Sequence, residues 1–247
     1  MRRVAAFATA FGATRSVYEV LRRRAPGDPA QWQRKNYAGR TVDLYAGPAA
    51  AVGAAAGAAL AASGPAAVAV VAAGACGAYD DLKGDHRRGF RAHLSALGQG
   101  EVTSGAVKLF GIGAAGLAAG ALLKERPVDK LLAGIVIAGT AHLVNLVDVA
   151  PGRAAVAVLG IGAPGLLRRG TAGALAAAPM GAAAAIVTED LGERTMLGDS
   201  GAHALGAALG AAIVAGNGRA GLAVHAAGLI AAAVYGDEVS RLAGSPM

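Results

Sequence analysis

Long stretches of this chain carry no charge at all. Leu44 to Tyr79 runs 36 residues without one, and further charge-free runs cover Leu109–Leu123, Leu131–Val147, Ala154–Leu167, Gly170–Thr188, Ser200–Gly218 and Ala220–Gly236. A helix on the surface of a soluble domain shows a polar face every turn or so, whereas a helix apolar all round is buried in protein or in lipid. Seven such runs exceed what a domain of this size can bury within itself, so the pattern predicts helices in a membrane. The longest run is too long for one crossing, and Ser63-Gly64-Pro65 marks a turn in its middle. The pattern therefore predicts an all-α, polytopic membrane helix bundle. Its nine short spans fall near 4–21, 48–62, 65–79, 106–123, 130–147, 154–167, 171–187, 200–216 and 220–236, in a single integral membrane domain over 1–247.

Composition changes the picture in one respect. Alanine (66) and glycine (38) make up 104 of the 247 residues. Alanine is a poor lipid-facing residue, but small residues let helices approach closely in a bundle. Gly111, Gly113, Gly116 and Gly120 have this spacing. High hydrophobicity excludes a disordered chain. A single cysteine, Cys76, excludes a disulfide scaffold. Arg15 and Glu19 interrupt the first apolar stretch too early for a cleaved signal peptide.

Charge orients the bundle. Assigning loops alternately puts 14 Lys and Arg on the side of Arg22–Arg40, Lys83–Arg91, Lys108, Arg153, Arg194 and Arg241, against 8 on the side of Arg2, Lys124 and Arg168. The positive-inside rule makes the first side cytoplasmic, with the N-terminus outside, the C-terminus inside and the plasma membrane as the location. Only Glu125 and Asp129 of the 16 acids fall on the outer side. Acids do not drive topology, so their segregation admits two readings, solvated loops or a cytoplasmic-face site that uses carboxylates and a metal.

Four clusters lie on that face. Asp80-Asp81 closes an apolar helix, and adjacent carboxylates repel unless a cation or proton neutralises them. Oxygen-rich sites of this kind suit Mg²⁺ beside substrate phosphates, and an acidic helix end in water is the plainer alternative. Thr103 to Leu109 places Lys108 at the start of a span, to meet phosphate or to snorkel toward headgroups. His142 to Asp148 puts Asn145 and Asp148 at i, i+3 on one helix face, either as a functional polar pair or as a helix-to-helix hydrogen bond. Gly198-Asp199-Ser200-Gly201 offers a carboxylate among free backbone N–H groups, or simply a helix cap.

Taken in order, these clusters resemble the polyprenyl-phosphate sugar-1-phosphate transferases, the superfamily of the phospho-N-acetylmuramoyl-pentapeptide and N-acetylglucosamine-1-phosphate transferases. The matching residues are Asp80-Asp81, Gly105-Ala106-Val107-Lys108-Leu109, Asn145-Leu146-Val147-Asp148 and Gly198-Asp199-Ser200-Gly201, with Asn36–Arg40 through Gly47-Pro48 upstream and Glu238-Val239-Ser240 downstream. The resemblance spans residues 30–241. It implies a Mg²⁺-dependent glycosyl-1-phosphate transferase of cell-envelope or peptidoglycan biogenesis, with a polyprenyl phosphate and a nucleotide diphosphate sugar as partners in the membrane. No nucleic acid is expected, and a homodimer is left open. It further implies Asp80, Asp81, Asp148 and Asp199 as catalytic residues, Asp81 and Asp199 as metal ligands, and Lys83, Lys108 and Asn145 as substrate-binding residues.

The chain departs from the family pattern at Pro151, where a second loop aspartate is expected, and at Ala202, where a serine is. The family's His-rich loop would lie beyond Met247, and His86 and His93 are on the same side. These departures support a second expectation, a catalytically inactive descendant acting as a membrane scaffold or lipid-binding partner. A small transporter is a third, disfavoured because the acids lie at helix ends rather than at the midplane.

Overall fold

The computed structural model describes residues 1–36, 38–84 and 90–244, with the side chains of 90–92 and 94 excepted. The apolar first segment and the charge-free runs form helices α1 (Arg2–Arg23), α2 (Ala46–Leu60), α3 (Gly64–Lys83), α5 (Ser104–Leu123), α6 (Pro127–Leu146), α7 (Arg153–Gly162), α8 (Gly170–Leu191), α9 (Gly198–Gly216) and α10 (Arg219–Val234).

 Two nine-residue helices, α4 (Phe90–Gly98) and α11 (Gly236–Gly244), complete the set among the described residues. A 3₁₀ turn (Ala163–Leu167) extends α7, and another (Pro29–Trp32) leads into an antiparallel ribbon of β1 (Gln33–Lys35) and β2 (Thr41–Asp43), with Arg34 opposite Val42. Among the described residues the fold is thus all-α apart from this short ribbon.

Local chemistry sets the helix ends. Ala62 turns at φ +62 after α2, and Gly64-Pro65 restarts the chain as α3, where the fixed φ of proline suits a first turn. The Thr103 hydroxyl accepts the Ala106 N–H at 3.1 Å and caps α5. Pro127 opens α6 in the same manner as Pro65 opens α3.

Packing follows from the small residues. Helices α8 and α9 form the centre of the bundle, and α9 is buried almost throughout from Gly198 to Val214. Helix α9 packs against α2, α3, α6 and α8, while α1 lies along α2 and α8. The Arg15 guanidinium ties α1 to Glu189 of α8 at 3.1 Å. Gly116 and Gly120 bring α5 onto α6: a methyl group at either would meet Gly134 backbone at 2.9 or 2.6 Å. Gly111 faces Cys76 of α3, and Gly113 faces open space.

Three helices, α5, α6 and α8, are long and apolar enough to cross a membrane. Within these spans 28% of α5 is buried by protein against 78% of α8, which separates a peripheral helix from a central one. Helices α10 and α11 pass the same test only as a pair, bent by 82°. Helix α2 and the segment 153–167 are apolar but shorter.

Candidate functional site

The site assembles where the C-terminal end of α3 meets the N-terminal ends of α5 and α9. Gly77 makes this meeting possible. A methyl group there would lie 2.3 Å from the Asp199 carbonyl oxygen and 2.6 Å from the Ser200 nitrogen, so the backbones of α3 and α9 touch. One helical turn further on, Asp80 and Asp81 leave α3 in different directions.

Asp81 turns toward α9. Its Oδ1 accepts the Asp199 N–H at 3.0 Å and its Oδ2 accepts the Ser200 N–H at 2.9 Å. The carboxylate therefore satisfies two of the unpaired donors at the start of α9, in the favourable field of that helix end. Gly198, at φ +58, clears the space: a methyl group there would sit 2.9 Å from Asp81 Oδ1. Behind it, the Arg34 guanidinium of β1 donates to the Asp81 carbonyl oxygen and docks the ribbon onto the end of α3.

Asp80 turns toward α5. The Lys108 ammonium donates to Asp80 Oδ2 at 2.7 Å and to Asp199 Oδ2 at 2.5 Å. All three side chains keep partial access to solvent, at 17%, 21% and 23% exposure for Asp80, Lys108 and Asp199. One ammonium thus faces two carboxylates, with Asp81 close behind, and the cluster retains a surplus of negative charge. At the back of it His203 is buried, its Nδ1–H donating to the Asp199 carbonyl oxygen at 2.7 Å. His93 stands over the start of α5, hydrogen-bonded through Nδ1 to the Thr103 hydroxyl at 2.9 Å.

Asp148 approaches from α6. The helix ends at Leu146, so Asn145 and Asp148 do not share a helix face as their spacing suggests. Asp148 instead sits in the following turn, its N–H on the Asn145 carbonyl oxygen at 3.2 Å. Burial, followed by the negative charges of Asp190, Asp199 and Asp81, pushes the Asp148 carboxyl well above the usual carboxylate range. Asp148 lines a small cavity together with Asn36, Pro151, Asp190, Glu193 and Thr195.

The structure therefore brings Asp80, Asp81, Lys108 and Asp199 together, with Asp148 within electrostatic reach. Lys83 is exposed at the end of α3, outside the ion-paired cluster. Asn145 lies half-buried in the last turn of α6. His86 lies outside the described residues. Arg34, Asp190 and Glu193 have no counterpart among the sequence candidates. Their only local signal is polarity at the edge of apolar runs, and what joins them to the site is contact between segments far apart in sequence, 47 residues for Arg34 with Asp81 and 157 for Glu193 with Asn36.

The donor set is hard oxygen, which suits Mg²⁺. Among the described residues no three His, Cys, Asp or Glu side chains gather closely enough to cage a metal by themselves. Mg²⁺ commonly takes only one or two carboxylates and completes its shell with water and phosphate oxygens. Asp80 and Asp199, each with one oxygen on Lys108, fit that role. Asp81, with both oxygens on backbone N–H groups, is the less available of the two metal candidates expected from sequence.

The chain matches no protein-family model and no curated protein.

Proposed function

We propose that the chain is a membrane transferase that moves a sugar-1-phosphate from a nucleotide diphosphate sugar to a polyprenyl phosphate at the cytoplasmic face. The observation that carries this reading is the convergence of Asp80, Lys108 and Asp199 from three separate helices, with Asp81 behind them. Phosphoryl transfer asks mainly for positioning and charge neutralisation, and a lysine beside paired carboxylates at a membrane surface supplies both.

In this reading an oxygen of the lipid phosphate forms a bond to the sugar-bearing β-phosphorus. The bond from that phosphorus to the bridging oxygen breaks, and the nucleoside monophosphate leaves with the electron pair. Asp80 takes the proton of the lipid phosphate. The Lys108 ammonium neutralises phosphate charge once substrate separates it from the carboxylates. Asp199 and Asp80 would hold Mg²⁺, which when bound supplies charge stabilisation to the diphosphate. Asp81 keeps the start of α9, and so Asp199, in place. Asn145 and Asp148 border the nucleotide side of the site.

The reading includes nine spans, with the N-terminus outside and the C-terminus in the cytoplasm. Its support is the sorting of polar contacts to two ends of the bundle. The acidic cluster gathers the ends of α3, α5 and α9. The opposite ends are joined by Arg219–Asp129 at 2.6 Å and by the Lys124 ammonium on the Asn217 carbonyl oxygen at 3.0 Å.

A second reading, an inactive descendant that binds lipid or a membrane partner, is favoured by Lys108 itself, which closes the carboxylates against each other, and by Pro151 in the cavity wall. The purified protein with polyprenyl phosphate, Mg²⁺ and a panel of nucleotide sugars separates the two. The transferase releases nucleoside monophosphate, and Asp199→Asn lowers turnover by orders of magnitude with folding intact. No release from any donor sinks the transferase.

A further inference from the structure

The cavity beside Asp148 poses a problem of its own. Asp190 closes α8 and is only 3% exposed, yet its Oδ2 has no hydrogen-bond partner among the described residues. The backbone of Gly152 lies close enough to favour the ionised form of the same carboxylate, and burial works against that form. An ionised carboxylate buried without a partner is costly. Asp190 lines the cavity together with a second acid, Asp148, which feels its charge.

The other polar walls are already committed. The Asn36 side-chain amide donates to Glu193 Oε2 at 2.7 Å, and Arg40 lies 3.5 Å from the same oxygen. The Thr195 hydroxyl donates to Asp43 Oδ1 at 2.6 Å and faces the Ala46 N–H at 3.3 Å. What is left open is a pair of carboxyl groups that offer only acceptor oxygens once ionised, and a bound cation favours that ionised form. The cavity between them, about 60 Å³, has room for a few water molecules.

We infer that the cavity between Asp148 and Asp190 binds a small, hard divalent cation of the Mg²⁺ class, separate from any cation held by Asp80 and Asp199. Such an ion needs one or two carboxylates and keeps much of its water, which matches both the donors and the room. It would neutralise two buried charges where the turn after α6 meets the end of α8. It would also fix the walls of the cavity that border the acidic cluster. The Asp80–Asp199 pair already has the Lys108 ammonium, whereas among the described residues no ion pair reaches Asp148 or Asp190.

Mn²⁺ is a direct probe, because the free ion is counted by its paramagnetic resonance signal. The full-length protein in detergent or nanodiscs is titrated with Mn²⁺. The wild type should hold an equivalent that survives Asp199→Asn and Asp80→Asn, and whose affinity falls at least tenfold in Asp190→Asn. With a chelator present, Asp190→Asn should melt at or above the wild type, because an uncompensated charge is gone. If Asp190→Asn does not fold, Asp148→Asn is titrated in its place, with the same loss expected. The inference is overturned if the wild type binds no Mn²⁺, if Asp190→Asn (or its replacement) titrates like the wild type, or if all binding disappears with Asp199→Asn alone. Because the readout is bound metal and not turnover, a protein that releases no nucleoside monophosphate leaves this test intact.

Discussion

Lys108 is the residue on which the electrostatics of the site turn. Its ammonium lies within 2.7 Å of Asp80 and 2.5 Å of Asp199, two carboxylates from helices that would otherwise repel at this distance. Removing one partner of a fully buried pair costs about 3–5 kcal/mol, and the partial exposure of all three groups screens this to about 1–2 kcal/mol. Lys108→Met should therefore lower the melting temperature measured in detergent. Added Mg²⁺ should raise the melting temperature of the variant by more than that of the wild type, since a divalent cation can then take the place of the ammonium. Equal Mg²⁺ effects on both proteins would show that the carboxylates do not face a common cation position. Asp81 makes the contrasting point. Its neighbour in sequence, Asp80, pairs with the Lys108 ammonium, whereas Asp81 serves the backbone of α9 through both oxygens. Two adjacent identical residues thus hold different roles, because a helix places successive side chains about 100° apart.

At the scale of elements, the contact of α3 with α9 is the joint that positions the site, and it rests on the absence of a side chain at Gly77. Gly77→Ala would place a methyl group 2.3 Å from the Asp199 carbonyl oxygen. Backbone cannot rotate aside, so the helices must part. Overpacking of this kind costs about 1–3 kcal/mol, more than the 0.5–1 kcal/mol an alanine contributes in a helix. Gly113→Ala, with nothing within 4 Å, should be neutral or mildly stabilising, and it controls for the helix term. Thermal melts of the two variants check the difference, and equal melts would place the joint elsewhere. The long helices were legible because their apolar runs carry no charge over several turns. The helices α4 and α11 were not, since each has only nine residues and charges within it, and the ribbon strands of three residues are too short for alternation to show. The same distinction holds for the site. Asp80, Asp81 and Asp199 stand out as acids at the edges of apolar runs. The pairing of Asp148 with Asp190 and the docking of Arg34 on Asp81 depend on the folding of distant segments against each other, and local spacing carries no trace of that.

The whole molecule has two polar ends separated by an apolar, alanine-rich middle. A 20-residue helix such as α5 or α6 is about 30 Å long, close to the thickness of the hydrocarbon core, so in the proposed spanning arrangement residues at its two ends belong to opposite surfaces. Lys83 closes α3 at the end that carries the acidic cluster, and Glu125 lies between α5 and α6 at the other. Both are exposed, and both positions accept a cysteine without touching the packed interior. The native Cys76, half-buried against Gly111, is first replaced by alanine to give a silent background. In that background Lys83→Cys and Glu125→Cys report the sidedness of α3 and of the α5–α6 turn. A membrane-impermeant maleimide added to intact cells should label the variant at 125 and leave the variant at 83 unlabelled until the membrane is opened. Labelling of both from outside would place the two ends on one surface and end the spanning arrangement. Labelling of 83 alone would keep the bundle in the membrane but invert it, and the acidic cluster would then face away from cytoplasmic nucleotide sugars. The transferase reading therefore requires one particular outcome of the three, and it is exposed to failure here before any substrate is tried.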